Sequence, residues 1–311
     1  MISWRYHLVS LVAVVLAFGL GIVAGTSVVS DPLAAEIRSD YAAAVRAKNQ
    51  ALETVAFYED FVRALEPTLR DGVLAGEEAI VVTVEGVEGP ARRAVDELTA
   101  AGVDVLATFA MTPRLTEPDE GQDVPTLGEI LGLAGLDPDV IVDRVPDALA
   151  VRLSLGILGA EDDVLEGLLD QGFLTADRDL DSQTLLGIGG GGELIVVAAG
   201  GEAPPDTPGP EPLLVPMTQR LVQLGSPTVG VGPTEDPFGY VSTVRDDSQI
   251  PDCAMVTVDD IDLEVGGITL TMGIDRFRTD PDPAVRPGGD YGVRGDMLVP
   301  GAQEPPETCL R

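Results

Sequence analysis

The sequence predicts an α/β protein preceded by a long helical segment, and three observations predict it. Residues 8–29 carry no charge, apolar residues recur at heptad spacing from 37 to 65, and from 77 onward short apolar runs alternate with helical patterns. Alternation of that kind implies a parallel sheet covered by helices. The expected order is a cytoplasmic tail (1–7), a transmembrane helix (8–29), a coiled-coil stalk (31–66), the first half of an extracytoplasmic α/β domain (77–200), a proline-rich loop (201–212), its second half (213–278) and an extended tail (279–311).

The 22 residues of 8–29 are long enough to cross a bilayer core at about 1.5 Å per residue. Arg5 precedes them, whereas Asp31 and Glu36 follow before the next positive residue, Arg38. The positive-inside rule therefore puts residues 1–7 in the cytoplasm and the bulk of the chain outside. The alternative is a cleaved signal peptide at Val23-Ala24-Gly25, against which stands an apolar run longer than the usual core of such peptides. Both readings export the chain. Gly21 and Gly25 form a G-x-x-x-G step, through which two membrane helices can approach closely.

The heptad seam runs Ile37, Tyr41, Ala44, Lys48, Ala51, Val55, Tyr58, Val62, Leu65, and only Lys48 breaks its apolar character. A coiled coil tolerates one such breach, which fixes register at a cost in stability. The competing reading is an amphipathic helix packed on its own globular domain. Pro67 is expected to end this helix. Together the seam and the glycine step predict a homodimer or hetero-oligomer, with Gly21, Gly25, Ile37, Tyr41, Val55, Tyr58, Val62 and Leu65 at the interface.

Beyond residue 76 the period changes. Strands are expected at 79–84 and 103–109, around a helix at 90–101 that opens on Pro90 and closes on Gly102. Polar, proline-containing 117–125 reads as a loop, and helices follow at 126–136, 147–158 and 161–171. Apolar runs at 194–198, 228–231 and 255–258 read as strands, and 213–224 reads as a helix. Residues 262–277 read as a helix weakened by Gly266, Gly267 and Gly273. The glycine run 189–192 precedes a strand instead of following one, so it is a turn and not a phosphate loop.

Composition narrows the function. Hydrophobic residues make up 45% of the 311 and mean hydropathy is +0.20, so the chain has a packed core and is not disordered. With 52 acidic against 19 basic residues the formal charge is -33. No basic patch interrupts that field, which argues against nucleic acid as a partner. His7, the only histidine, lies in the cytoplasmic tail, so the exported part lacks an imidazole for a triad or a His-ligated zinc site. No catalytic residue and no resident cofactor are expected.

Cys253 and Cys309 are the only cysteines. In an oxidising compartment they are expected to form one disulfide, which would stabilise the fold by about 4 kcal/mol on the chain-entropy account. Cys253 with Met255 is also a weak soft-metal pair, although an oxidised Cys253 cannot ligate copper, and Met217, Met272 and Met297 read as core filler. Asp259, Asp260 and Asp262 form an acidic strand-end turn, which in a chain this acidic is expected to be solvated.

Several stretches carry a resemblance. MISWRYH (1–7) runs into LVSLVAVVLAFGLGIVAGT, FVRALEPTLRDGVLAG (61–76) leads into AIVVTVEGV (79–87), and VTVDD (256–260) and GGDYGVRGDMLVPGA (288–302) follow. Together these resemble the actinobacterial MctB family over nearly the whole chain. The resemblance implies an outer-membrane, pore-forming protein of copper efflux, with copper as the transported ion. It also implies a second role, because SteB-like relatives are proposed to act at the septum as coiled-coil membrane proteins that regulate a peptidoglycan hydrolase. An envelope protein would then be the partner. The residues show no alternating barrel strands, and the single apolar run has no polar face beyond Ser10, Ser27 and the adjacent Thr26.

Overall fold

The computed structural model describes residues 4–156, 163–190, 192–200, 211–234, 239–251, 254–263, 265–279 and 288–291; in the first helix it describes the side chains of 9–23, 41–58, 60, 62–63 and 68–70. The chain divides into two compact units, Met1–Phe61 and Val62–Arg311.

The first element is one continuous helix, α1 (Trp4–Arg70), covering both expected helical segments. Pro67 does not end it. A proline keeps helical φ and removes one N–H bond, which a helix can absorb near its end. The stop comes at Gly72, whose φ of +71° takes the left-handed geometry that closes helices, and Val73 N–H donates back to the Arg70 carbonyl at 3.1 Å. Tyr41, Val55 and Tyr58 are exposed, at 72%, 52% and 61%, and Val62 is half-buried. Gly21 is exposed, with open space beside it. The side chains of Gly25, Ile37 and Leu65 lie outside the described residues. Among the described residues no helix is long and apolar enough to cross a membrane.

The second unit is built on a single sheet. Its elements are β1 (Glu78–Val84), α2 (Gly89–Ala100), β2 (Asp104–Met111), α3 (Pro113–Thr116), α4 (Asp123–Ile130), α5 (Pro138–Leu155), α6 (Val164–Asp170), β3 (Leu174–Ala176) and α7 (Ser182–Gly187). They continue with β4 (Leu194–Ala198), α8 (Glu211–Gln223), β5 (Thr228–Val231), α9 (Tyr240–Asp246), β6 (Val256–Val258), α10 (Gly266–Thr279) and β7 (Gly289–Tyr291). The strand order is β3-β2-β1-β4-β5-β6-β7, parallel except for β3, which runs antiparallel to β2. The sheet is open, with β3 and β7 at its edges.

Near-continuous apolar strands bury both faces of such a sheet, and alternate residues divide between two cores. Ile80, Val82, Phe109, Met111, Ile195 and Val197 face one layer, filled by Leu127, Leu149, Leu153, Leu165, Leu214 and Met217 from helices on that side. Ala79, Val81, Val196, Val229, Val256 and Val258 face the other, which α2 and α10 complete with Ala94, Leu98, Leu270, Ile274 and Phe277. This helix-covered sheet does not match the pore-forming barrel that the resemblance implies, whose strands must turn one face to lipid.

Several elements depart from expectation for local reasons. Helix α5 starts nine residues before the expected 147, because Pro138 occupies the first turn and the Asp137 carboxylate accepts from Asp139 N–H as its cap; Pro146 is taken up inside the helix. β7 forms within the segment expected to be an extended tail, paired to β6 through Val258 and Tyr291. The glycines that lower the propensity of α10 let it lie close to its neighbours. A Cβ on Gly273 would stand 3.0 Å from Val256, and one on Gly266 would stand 2.1 Å from the Asp260 carbonyl oxygen. Because that neighbour is backbone, Gly266→Ala is expected to destabilise the unit by about 1–3 kcal/mol. Thermal unfolding of the full chain measures this.

Candidate functional site at the carboxyl end of the sheet

Open parallel sheets bind ligands outside the carboxyl ends of their strands, at the point where strand order reverses. Here that point lies between β1 and β4. Residues 201–210, which follow β4, lie outside the described residues. The best-defined polar cluster sits farther along the same edge, at the ends of β5, β6 and β7.

Arg245, on α9, is the centre of this cluster. Its Nε donates to Thr257 Oγ1 at 2.8 Å, Nη1 to Asp259 Oδ2 at 2.7 Å and Nη2 to the Tyr291 carbonyl at 2.8 Å. Asp290 Oδ1 lies 3.5 Å from Nε and accepts from the Thr257 hydroxyl at 2.6 Å. One planar guanidinium therefore ties β6 to β7 and supplies the positive charge that lets Asp259 be buried at 4% exposure. The acidic turn continues with Asp262, which accepts from the Thr234 N–H at 2.6 Å and its hydroxyl at 3.0 Å.

Asp260 between them is different. It is 2% exposed, its Oδ2 lies 3.4 Å from the Thr269 hydroxyl on α10, and its Oδ1 is buried without a hydrogen-bond partner among the described residues. Burial pushes its carboxyl up to about 6, with the charge of Asp259 adding to the effect. The acidic turn was expected to be solvated; Asp262 is exposed, whereas Asp259 and Asp260 are buried. The Val256-Thr257-Val258 strand, buried on both faces, carries Asp259 and Asp260 into the interior with it. Beside this junction, a Cβ on Gly267 would fall 2.1 Å from Oε2 of Glu97, a buried α2 carboxylate held by Arg70 at 2.7 Å and Arg93 at 3.3 Å.

The expected metal and disulfide residues are not gathered here. Met255 is 1% exposed, and its methyl lies against Gly230 in the core, beside Tyr240. Cys253 and Cys309 lie outside the described residues. Among the described residues, no group of three or more His, Cys, Asp or Glu could hold a metal ion.

The family model described as "Copper transport outer membrane protein, MctB" matches residues 1–296. The chain belongs to the MctB family. Relatives named "Copper transporter MctB" from Mycobacterium bovis and from two strains of Mycobacterium tuberculosis are 26% identical to it over 298 residues, covering 88% of this chain and 92% of theirs. Two of the stretches that carry the resemblance to MctB proteins, 256–260 and 288–302, are far apart in sequence, yet β6 and β7 within them are adjacent strands fastened by Arg245. The long-range arginine contact was not legible in the sequence, because no local spacing links 245 to 259 and 291.

Proposed function

We propose that this chain is a membrane-anchored envelope protein of copper homeostasis, with residues 8–29 crossing the cell membrane, 1–7 in the cytoplasm and the α/β unit outside. The observation that carries the functional reading is the MctB family match over residues 1–296. Anchoring is supported by successive large apolar side chains that point outward all round the helix: Val14, Val15, Leu16 and Phe18 are 61–73% exposed. Such an all-round apolar surface suits lipid better than water.

Planar-bilayer recording of the purified full chain, with a copper titration of the same preparation, tests the transport reading. Copper-dependent conductance or stoichiometric copper binding is the expected result. Silence in both measurements would contradict it.

A second reading treats the chain as a non-enzymatic dimeric scaffold for septal peptidoglycan hydrolysis. It is favoured by the exposed seam residues Tyr41, Val55 and Tyr58, which in a lone helix leave apolar area open to a second copy. Replacing Ile37 and Val55 together by aspartate is expected to convert the full chain in detergent from dimer to monomer by light scattering. An unchanged mass would remove this interface.

A further inference from the structure

The end of α1 is seated on the α/β unit by two kinds of contact. Leu74, just beyond the helix, is 4% exposed in the core that α2 and α10 complete, and its N–H donates to the Ala101 carbonyl at 2.9 Å. Ala75 lies against Gly102, where a Cβ would stand 3.2 Å from the Ala75 Cα. The second kind is ionic. Arg70, in the last turn of α1, reaches Glu97 Oε2 at 2.7 Å, and Arg93 reaches the other carboxylate oxygen at 3.3 Å.

Glu97 has a third neighbour. A Cβ on Gly267, in the first turn of α10, would overlap Oε2, the same oxygen that Arg70 holds. The carboxylate therefore lies at the positive end of α10, where a negative charge is favoured. Its side chain is 5% exposed, so its charge depends on these partners and not on water. On the preceding residue, a Cβ on Gly266 would overlap the Asp260 carbonyl oxygen. Gly266 thus meets the end of β6 while Gly267 meets Glu97, and neither carries a side chain that could absorb a shift. Asp260 continues through Asp259 to Arg245, and Arg245 to the Tyr291 carbonyl of β7. Direct contacts and bonded neighbours run all the way from Arg70 to the polar cluster.

We propose that Glu97 is a coupling residue: it links the end of α1 to the first turn of α10, so that α1, which carries residues 8–29, and the polar cluster at the ends of β6 and β7 respond to one another. Coupling of this kind is reciprocal. Loosening either end of the link loosens the other.

Hydrogen exchange of the full chain in detergent, followed by mass spectrometry, tests the link from both ends. Arg70→Ala is expected to speed exchange about tenfold in peptides covering 265–272, the effect of losing one charge-assisted hydrogen bond. Gly267→Ala, whose methyl displaces the carboxylate from Arg70, is expected to speed peptides covering 66–76 by a similar factor. Glu97→Gln, which keeps the shape and removes the charge, is expected to speed both. In the Arg70→Ala/Gly267→Ala double variant the 66–76 peptides should exchange as in Gly267→Ala alone, because each change breaks the same contact. Arg114→Ala, which breaks an ion pair of the other layer, should leave both segments as in the parent. Unchanged 265–272 exchange in Arg70→Ala, or unchanged 66–76 exchange in Gly267→Ala, would overturn the proposal. So would multiplied effects in the double variant, or an equal response to Arg114→Ala, which would assign the changes to general loosening of the unit.

Discussion

Replacing Arg152 by alanine is expected to cost the α/β unit about 3–5 kcal/mol, the range found when one member of a buried ion pair is removed. Arg152 and Asp163 have side chains only 5% and 7% exposed, and they meet through two parallel bonds of 2.6 and 2.8 Å. The same guanidinium donates to the Leu185 carbonyl at 2.7 Å and to the Ile188 carbonyl. Truncation therefore leaves the buried Asp163 carboxylate without its cation, with the Leu165 N–H still donating to it, and takes a donor from the Leu185 and Ile188 carbonyls, of which Leu185 keeps the Ile188 N–H, so desolvation that the pair had offset falls mainly on the carboxylate. Gly189 sits close behind, where a Cβ would stand 2.6 Å from the Arg152 carbonyl oxygen, so the neighbouring backbone has little freedom to collapse into the gap. Denaturant unfolding of the full chain followed by tryptophan-independent circular dichroism reads the loss. Arg152→Lys should recover only part of it, because an ammonium cannot form the bidentate pair. A cost under 1 kcal/mol for Arg152→Ala would mean that the pair is solvated.

Asp260→Asn is expected to act in the opposite direction. The folded protein raises this carboxyl from 3.8 to about 6, so it binds the proton more tightly than the unfolded chain does. The stabilising contribution is fully present below pH 4, declines as pH rises toward 6, and is gone above that. At pH 7.5 the parent carries a buried charge that asparagine lacks, and the variant should be more stable by about 3 kcal/mol, the free energy of a shift of that size. At pH 4 the two should be alike. Parallel unfolding curves at the two pH values measure the difference. The Arg114–Asp123 pair provides a contrast within the same unit: two bonds of 3.0 and 2.6 Å from Arg114 lower the Asp123 carboxyl, so its contribution is lost as pH falls below the ordinary carboxylate range.

Much of the sheet was legible because its central strands are predominantly apolar. Residues 79–84 and 194–198 are buried throughout, and the structure makes them adjacent central strands. The short β3, α7 and α9 were not legible, since three to seven residues carry too little periodicity to separate from loop. Pro67 misled, since it sits near the end of a helix that runs on to Arg70, and the expected start at 147 passed over Pro138, which opens its helix behind the Asp137 cap. The polar cluster was hidden for another reason. Arg245, Thr257, Asp259 and Asp290 come together only through the parallel pairing of β6 and β7, and an acidic turn in a chain of charge -33 gave no sign that two of its carboxylates are buried.

The reading of this MctB-family chain as an anchored protein of copper homeostasis is tested most directly by the copper content of cells that lack it. A deletion strain grown in copper is expected to accumulate more of the metal than its parent. The full chain should restore the parental level, whereas a chain without residues 8–29 should not. Parental copper content in the deletion strain would contradict the account.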